Sequence, residues 1–254
     1  NLISRVVQKS LFYRPRIVVS IPSGITEVEE RAVEGVVYKS GAKEVYLMEE
    51  VMAAAIGSGL EVEKPEGAMI VDLGGGTSEM AVLSLGGIVV SNSVKIAGEK
   101  LDKDIVEYIK QKFNVIIGDG EAEEVKKQIG AATAAMTEDR MEVKGRNLLT
   151  GLPETITVTT EDINEAMKDS LNEILRVIKL TLEQTPPELA SDIMERGITL
   201  SGGLSLLRNI DRLISDETGM PVFIADEPEK CVVKGVGMAL DNIEVLKKAT
   251  KTRK

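Results

Sequence analysis

Asp72-Leu73-Gly74-Gly75-Gly76-Thr77-Ser78-Glu79 stands between two apolar runs, residues 68–71 and 80–83, and its reading decides the fold. Three successive glycines after a strand permit a tight turn, because no Cβ limits the backbone there. They also let N–H groups approach an anion closely. Asp72 closes the strand, where a carboxylate suits Mg²⁺ held through water. Thr77 and Ser78 add hydroxyls for a phosphate oxygen or an attacking water. No Lys follows at the spacing of a Walker loop. A hairpin that merely tolerates glycine is the other reading of these eight residues taken alone.

A second glycine turn lies far downstream, Leu200-Ser201-Gly202-Gly203-Leu204-Ser205-Leu206-Leu207, again after an apolar strand and before a helix. Backbone at Gly202 and Gly203 could pass close to a flat ring, with Leu204 or Leu206 as an apolar shelf. Between the two turns, Glu123 and Lys126 stand three apart on a predicted helix and so share a face. A carboxylate there could accept from two ribose hydroxyls while the ammonium braces it or meets the sugar. A surface ion pair is the plainer alternative. Glu49-Glu50 precedes the helix carrying Ala53-Ala54-Ala55, where a carboxylate is favoured by the helix dipole. Glu50 could also polarise a water toward a terminal phosphate beside Thr77.

Outward from these motifs, strand and helix signals alternate. Residues 16–21 read as a strand stopped by Pro22 and Gly24. Thr26 with Glu29 forms a capping box for a helix whose Ala32, Val33, Val36 and Val37 share a face. A strand at 44–48 and a helix at 51–56 follow, the order of an α/β layer with a parallel sheet. Residues 57–67 read as a polar connection, then strands at 68–72, 79–85 and 88–96, with a hairpin turn at Gly86-Gly87. Helices are predicted at 100–113 and 122–135, strands near 141–144 and 155–158, and a long amphipathic helix from Thr160 to Pro186-Pro187. A strand at 197–200, a helix at 206–215, a strand at 221–224 and a last helix complete the pattern. Residues 2–11 read as an uncapped amphipathic helix, as if the chain opened inside an element.

Composition narrows the chemistry. The 254 residues include no His, which removes His-based triads and His-ligated zinc or haem. One Cys excludes an internal disulfide and fits a cytoplasmic protein. Lys and Arg number 31 against 41 Asp and Glu, and the net charge of −10 repels nucleic acid, so no nucleic-acid partner is expected. Aromatic residues are 3% with no Trp, which argues against base-stacking platforms. The last eight residues reverse the sign with five Lys or Arg, a solvated tail or a weak attraction to an anionic lipid surface.

The four site motifs in this order, with IPSGITEVEER (21–31), AAAIG (53–57), IVDLGGGTSE (70–79), SLGGIV (84–89), GLP (151–153) and TPPELASDIMER (185–196), resemble the actin-like ATPase superfamily. Within it they resemble the bacterial cell-shape actins of the MreB/Mbl type. The resemblance implies an α/β, ribonuclease H-like two-domain fold with the N-terminal part of the first domain, including a first phosphate loop, missing here. Residues 1–57 would be the remainder of the first domain, joined by a C-terminal helix at 238–254. Residues 58–237 would be the second domain, with a small inserted subdomain at about 98–158.

The same resemblance implies ATP and Mg²⁺ as cofactors. Asp72 would act on Mg²⁺ through water, Gly74, Gly75, Gly76, Thr77 and Ser78 would hold phosphates, and Glu123 with Lys126 would hold the ribose. Gly202, Gly203, Leu204 and Leu206 would border the adenine, and Glu50 and Thr77 would orient the hydrolytic water. Leu11 and Phe12 match a membrane-touching loop. The partners implied are further copies of the chain in a filament, the inner face of the cell membrane and cell-wall elongation membrane proteins. ATPase activity is expected of the whole parent protein. A non-hydrolysing interaction module and a small-molecule phosphotransferase are the alternatives. This sequence departs from the family pattern at Val51, where Pro is usual, at Ser78 for Thr, and at Leu204 for a third Gly.

Overall fold

The structure, a computed structural model, describes residues 14–133 and 139–241. The readings at 2–11, including Leu11, and at Phe12 lie outside them, as do residues 242–254 of the expected C-terminal helix. Strand β1 (Arg16–Ile21) ends where Pro22 and Gly24, at φ +78°, turn the chain. Thr26 then caps α1 (Glu27–Lys39) with the full reciprocal box: its side chain accepts from Glu29 N, and Glu29 accepts from Thr26 N. No residue of α1 is buried, and Val28 and Val36 of this helix are largely exposed. β2 (Glu44–Glu49) pairs in parallel with β1, and α2 (Glu50–Gly57) follows at once with Val51 to Ala55 buried. Val51 is fully buried at the start of that helix.

Beyond the connection come β3 (Ala68–Leu73), β4 (Ser78–Ser84) and β5 (Gly87–Val94). The turn between β4 and β5 is one residue earlier than the sequence suggests. Leu85 and Gly86 both have positive φ, 53° and 77°, the signature of a type I′ loop, and Gly87 already pairs with Ser84. Next come α3 (Gly98–Phe113), the short β6 (Val115–Ile116) and α4 (Asp119–Ile129), then the hairpin β7 (Arg140–Asn147) and β8 (Pro153–Thr159). β6 was not anticipated, and it joins β7 and β8 in a three-stranded antiparallel sheet.

The long helix α5 (Thr160–Glu183) has a second capping box, Thr159 with Asp162. It stops before the two prolines, and Pro187 opens another helix, α6 (Pro187–Arg196). Proline is favoured at that first position because its missing N–H has no partner to lose. The chain ends with β9 (Ile198–Ser201), a 3₁₀ turn at Gly203–Leu206, α7 (Ile210–Thr218), β10 (Val222–Ile224), a 3₁₀ turn at Pro228–Lys230 and α8 (Cys231–Asp241). The helix expected at 206–215 is thus broken, with Asn209 in the left-handed region at its join. The C-terminal helix begins at Cys231 rather than 238.

The central sheet has the order β10-β9-β3-β4-β5, with β10, β9 and β3 parallel and β4 and β5 antiparallel. Alternation along its strands sends side chains to two different cores. Met69, Val71, Leu73, Met80 and Val82 join α3 and α5 through Leu101, Ile105, Met167 and Ile174. Ile70, Ala81 and Leu83 join Met52 to Ala55 of α2 and Ala239 of α8. Asp72 and Glu79 continue this second face at the strand ends, so they point toward the start of α2. Helices α2 and α8 meet backbone to backbone. A Cβ on Gly57 would lie 1.8 Å from Cys231 O, and one on Gly235 would lie 1.8 Å from Ala53 O.

Candidate functional site

The turn at 74–77 is closed by Gly74 N–H donating to Thr77 O, 3.0 Å. Its outer carbonyls are taken by the first turn of α3: Gly98 N donates to Gly74 O at 3.2 Å and Glu99 N to Gly75 O at 2.9 Å. Among the described residues all peptides are trans. Planarity then makes the N–H of Gly75 antiparallel to the carbonyl of Gly74, and that of Gly76 antiparallel to the carbonyl of Gly75. Both donors therefore point away from α3. Gly75 and Gly76 are exposed, and a Cβ at Gly76 would meet nothing within 4 Å. Gly75 and Gly76 keep the turn open to an approaching group, whereas a Cβ on Gly74 would crowd Thr77 O at 3.0 Å.

Gly202 is different. It sits at φ +83°, and a Cβ would lie 2.2 Å from Leu73 O. Its N–H donates to Pro228 O at 2.9 Å. The second glycine turn is therefore pressed onto the strand that leads into the first. Gly74 and Gly75 share the wall of one cavity of about 710 Å³ with Gly203, Leu204, Leu206, Glu123 and Lys126. Leu204 is 6% exposed and joins the core, whereas Leu206 is 60% exposed, so of the two it is Leu206 that offers a shelf. The larger residue at 204 is thereby absorbed into the core without blocking the cavity.

The same wall corrects one sequence reading. Lys126 does not brace Glu123. Its ammonium lies 2.6 Å from Asp102 Oδ1 and donates to Gly98 O at 2.8 Å, and the side chain is buried. Glu123 pairs instead with Lys127, 2.6 Å away at the cavity rim, and its carboxyl is held below the usual range by that lysine. A helix turn carries 123 and 126 to adjacent but unequal surfaces, and Lys126 falls on the buried stripe with Ala122, Val125 and Ile129.

Six of the expected site residues, Glu50, Asp72, Gly76, Thr77, Ser78 and Gly202, lie off this cavity wall. Asp72 is buried with Oδ1 accepting from Ser201 Oγ at 2.6 Å. Burial raises its pKa, and the Ser201 hydroxyl opposes the shift. Glu50, at the start of α2, is raised by burial and then by the charge of Asp72. Thr77 is half-buried at the turn. Ser78 is fully buried, and its Oγ donates to Ile96 O at 2.7 Å, so its hydroxyl is already engaged with the protein. Glu79, not singled out from the sequence, completes a group of three neighbouring carboxyls. Burial pushes it up to about 7, against the pull of the Ser23 N–H at 3.2 Å, with Glu50 and Asp72 raising it further. Its place in a strand otherwise buried on both faces was the signal available for it.

Among the described residues no group of three or more His, Cys, Asp or Glu has the geometry to hold a metal ion directly. One carboxylate at the end of β3, with one oxygen engaged by Ser201, fits a hydrated Mg²⁺ that keeps most of its waters. It does not fit a protein-enclosed cation.

The sequence profile of the MreB/Mbl protein family matches residues 1–248. The chain belongs to the MreB/Mbl family. It is 45% identical to the cell shape-determining protein Mbl of Bacillus cereus, over 97% of this chain and 74% of that protein. It is 46% identical to the cell shape-determining protein MreB of Escherichia coli, over 94% of this chain and 70% of the other. Its structure superposes on MreB5 of Spiroplasma citri, solved bound to ADP and to AMPPNP, with TM-score 0.91 at 38% identity, over 96% of this chain and 73% of that one. A MamK double helical filament superposes with TM-score 0.79 at 17% identity, over 95% and 73%, a likeness of fold. The actin-like fold of this MreB/Mbl member is therefore established together with its family.

Proposed function

We propose that this MreB/Mbl-family protein binds ATP with Mg²⁺ in the cavity between its two glycine turns and assembles into filaments that act in cell shape. One observation carries the reading: Gly74 and Gly75, in the first turn, line the same cavity as Gly203, 128 residues beyond Gly75. That cavity also holds a carboxylate, Glu123, at its rim and an exposed apolar side chain, Leu206. This is the set of groups a nucleotide needs: donors for phosphate, an acceptor for sugar hydroxyls and a flat apolar surface for a base. The nucleotide-bound relatives of known structure support the same reading.

In this reading Gly74 to Thr77 receive the phosphates, with the amides of Gly75 and Gly76 as preorganised donors. Mg²⁺ would be held by Asp72 through water, and bound there it neutralises phosphate charge. Gly202 and Gly203 border the base. Glu50 and Thr77 face the end of the phosphate chain, where a raised carboxyl on Glu50 suits it to take a proton from water. Two domains are proposed, residues 1–57 and 58–237, with the inserted part at about 98–158 carrying Glu123.

Filament subunits would lie against the inner face of the cell membrane through Leu11 and Phe12 and work with cell-wall elongation membrane proteins. Two buried apolar side chains contribute about 3–5 kcal/mol, which is marginal for one subunit and sums along a filament. Among the described residues no helix is long and apolar enough to cross a membrane. Co-sedimentation with and without ATP and anionic liposomes tests the proposal. ATP-dependent pelleting, enhanced by liposomes and lost on Leu11→Ser with Phe12→Ser only in the liposome arm, supports it. Pelleting indifferent to ATP removes the nucleotide part.

A further inference from the structure

Glu79 is 1% exposed in β4, on the rung opposite Asp72 of β3. A carboxyl so deep in a sheet requires a donor close by. Its donor comes from outside the sheet: both oxygens accept from one amide, the N–H of Ser23, at 3.3 and 3.2 Å. Ser23 stands 56 positions earlier, in the turn that follows β1. Pro22 has no N–H to give, so Ser23 carries the first backbone donor beyond that strand. β1 lies in parallel register with β2, Ile21 against Glu49, and Glu50 is the next residue. A run of backbone contacts thus leads from Glu79 through the 22–24 turn and the last rung of β1–β2 to Glu50. The helix that Glu50 opens packs on Ile70, Ala81 and Leu83 of the central sheet through apolar side chains. Apolar packing is non-directional, whereas a hydrogen bond fixes both distance and angle.

We infer that Glu79 is a positioning residue for ATP hydrolysis: by holding the Ser23 amide it sets the end of β1–β2, and with it Glu50, against the strand ends that carry the 74–77 turn. The inference rests on the reading of Glu50 as the group that takes a proton from water. It gives Glu79 no contact with the nucleotide, and neither Glu79 nor Ser23 lines the cavity. Position 79 then needs an acceptor for one N–H rather than a charge, and glutamine supplies that acceptor. A side chain that itself exchanged a proton with water could not be replaced by an amide.

The tether is read first, in the protein without nucleotide. Hydrogen exchange at the Ser23 amide should quicken at least about tenfold in Glu79→Met, which keeps the length and lacks the acceptor. Glu79→Gln should keep the wild-type rate. Unchanged exchange in Glu79→Met overturns the tether, and should that variant fail to fold, Glu79→Ala takes its place in every arm. The part in hydrolysis is read from turnover at saturating ATP and from calorimetric affinity. Glu79→Met should lower turnover about tenfold, the scale of a displaced catalytic group, and Glu79→Gln should restore it. Affinity should stay within about twofold in both variants, because neither changes a group on the cavity wall. In a Glu50→Ala background the same Glu79→Met change should cost less than about twofold more, since the residue acts through Glu50. An equal loss in both backgrounds, or no rescue by glutamine, overturns the positioning role. Wild-type protein without ATP turnover overturns the hydrolysis reading and the positioning role with it, and the exchange data still decide the tether.

Discussion

Gly202 lies with its Cα against the backbone of Leu73, so that a single methyl added to it would come within 2.2 Å of Leu73 O. Its φ of +83° adds a conformational cost for any other residue. Gly202→Ala should therefore destabilise the protein by more than about 3 kcal/mol, combining a left-handed backbone with a clash that only backbone movement relieves. Gly203 is the control, since a Cβ there meets nothing within 4 Å. Gly203→Ala should stay within about 0.5 kcal/mol of wild type. Urea unfolding followed by circular dichroism measures both, and equal losses in the two variants would contradict the packing described here.

Asp72→Asn removes a buried charge while leaving an acceptor for the Ser201 hydroxyl. Thermal stability should be kept or should rise, because burial disfavours the charged form. The Mg²⁺-dependent part of ATP affinity should disappear, leaving the same affinity with and without the ion. Calorimetry in Mg²⁺ and in EDTA reads this directly, and a retained difference would remove Asp72 from the metal role.

Glu50→Ala separates chemistry from binding. The side chain is raised by burial and by Asp72, and it sits at the start of α2, away from the cavity wall. Phosphate release per subunit should fall by about a hundredfold, the scale of losing a general base. ATP affinity should change less than about twofold. A parallel loss of affinity would show that Glu50 binds the nucleotide.

Glu79 supplies a pH signature. Its folded pKa is pushed up to about 7 from an ordinary 4.5. Between those values the folded protein holds a proton that the unfolded chain has released, so stability falls as pH rises through that window. Above pH 7 the ionised carboxylate costs on the order of 2–3 kcal/mol. Glu79→Gln keeps an acceptor for the Ser23 N–H and should be more stable than wild type at pH 8. The advantage should shrink to nothing below about pH 4.5. Melting curves across pH 4 to 8 test the sign, and an advantage independent of pH would place its cause elsewhere.

Most of the element order was readable because local signals agreed with tertiary demands. Thr26 with Glu29 named a helix start that the structure reproduces hydrogen bond for hydrogen bond. The heptad-like spacing Ile163, Met167, Leu171, Ile174 and Ile178 named a helix face that is now wholly buried. The failures have physical causes. Pro186-Pro187 looked like a stop, yet the second proline begins a new helix because its fixed φ suits a first turn. Gly86-Gly87 looked like the hairpin loop, but Leu85 takes the left-handed position and shifts the turn by one.

At the site, glycine turns and the Glu123 position were legible because their chemistry is local. The partner of Lys126 was not, because Asp102 lies 24 positions earlier and only the packing of α3 on α4 brings them together. A clue was present: Asp102 interrupts the buried stripe Gly98, Leu101, Ile105 and Ile109. A carboxylate on such a stripe requires a buried cation nearby.

The meeting of α2 and α8 carries a mechanical corollary. Two rods touch at their backbones, with Gly57 over Cys231 and Gly235 over Ala53, and neither position has room for a side chain. A methyl placed at 57 or 235 would drive the two helices apart and open the core that α2 and Ala239 share with Ile70, Ala81 and Leu83 of the central sheet.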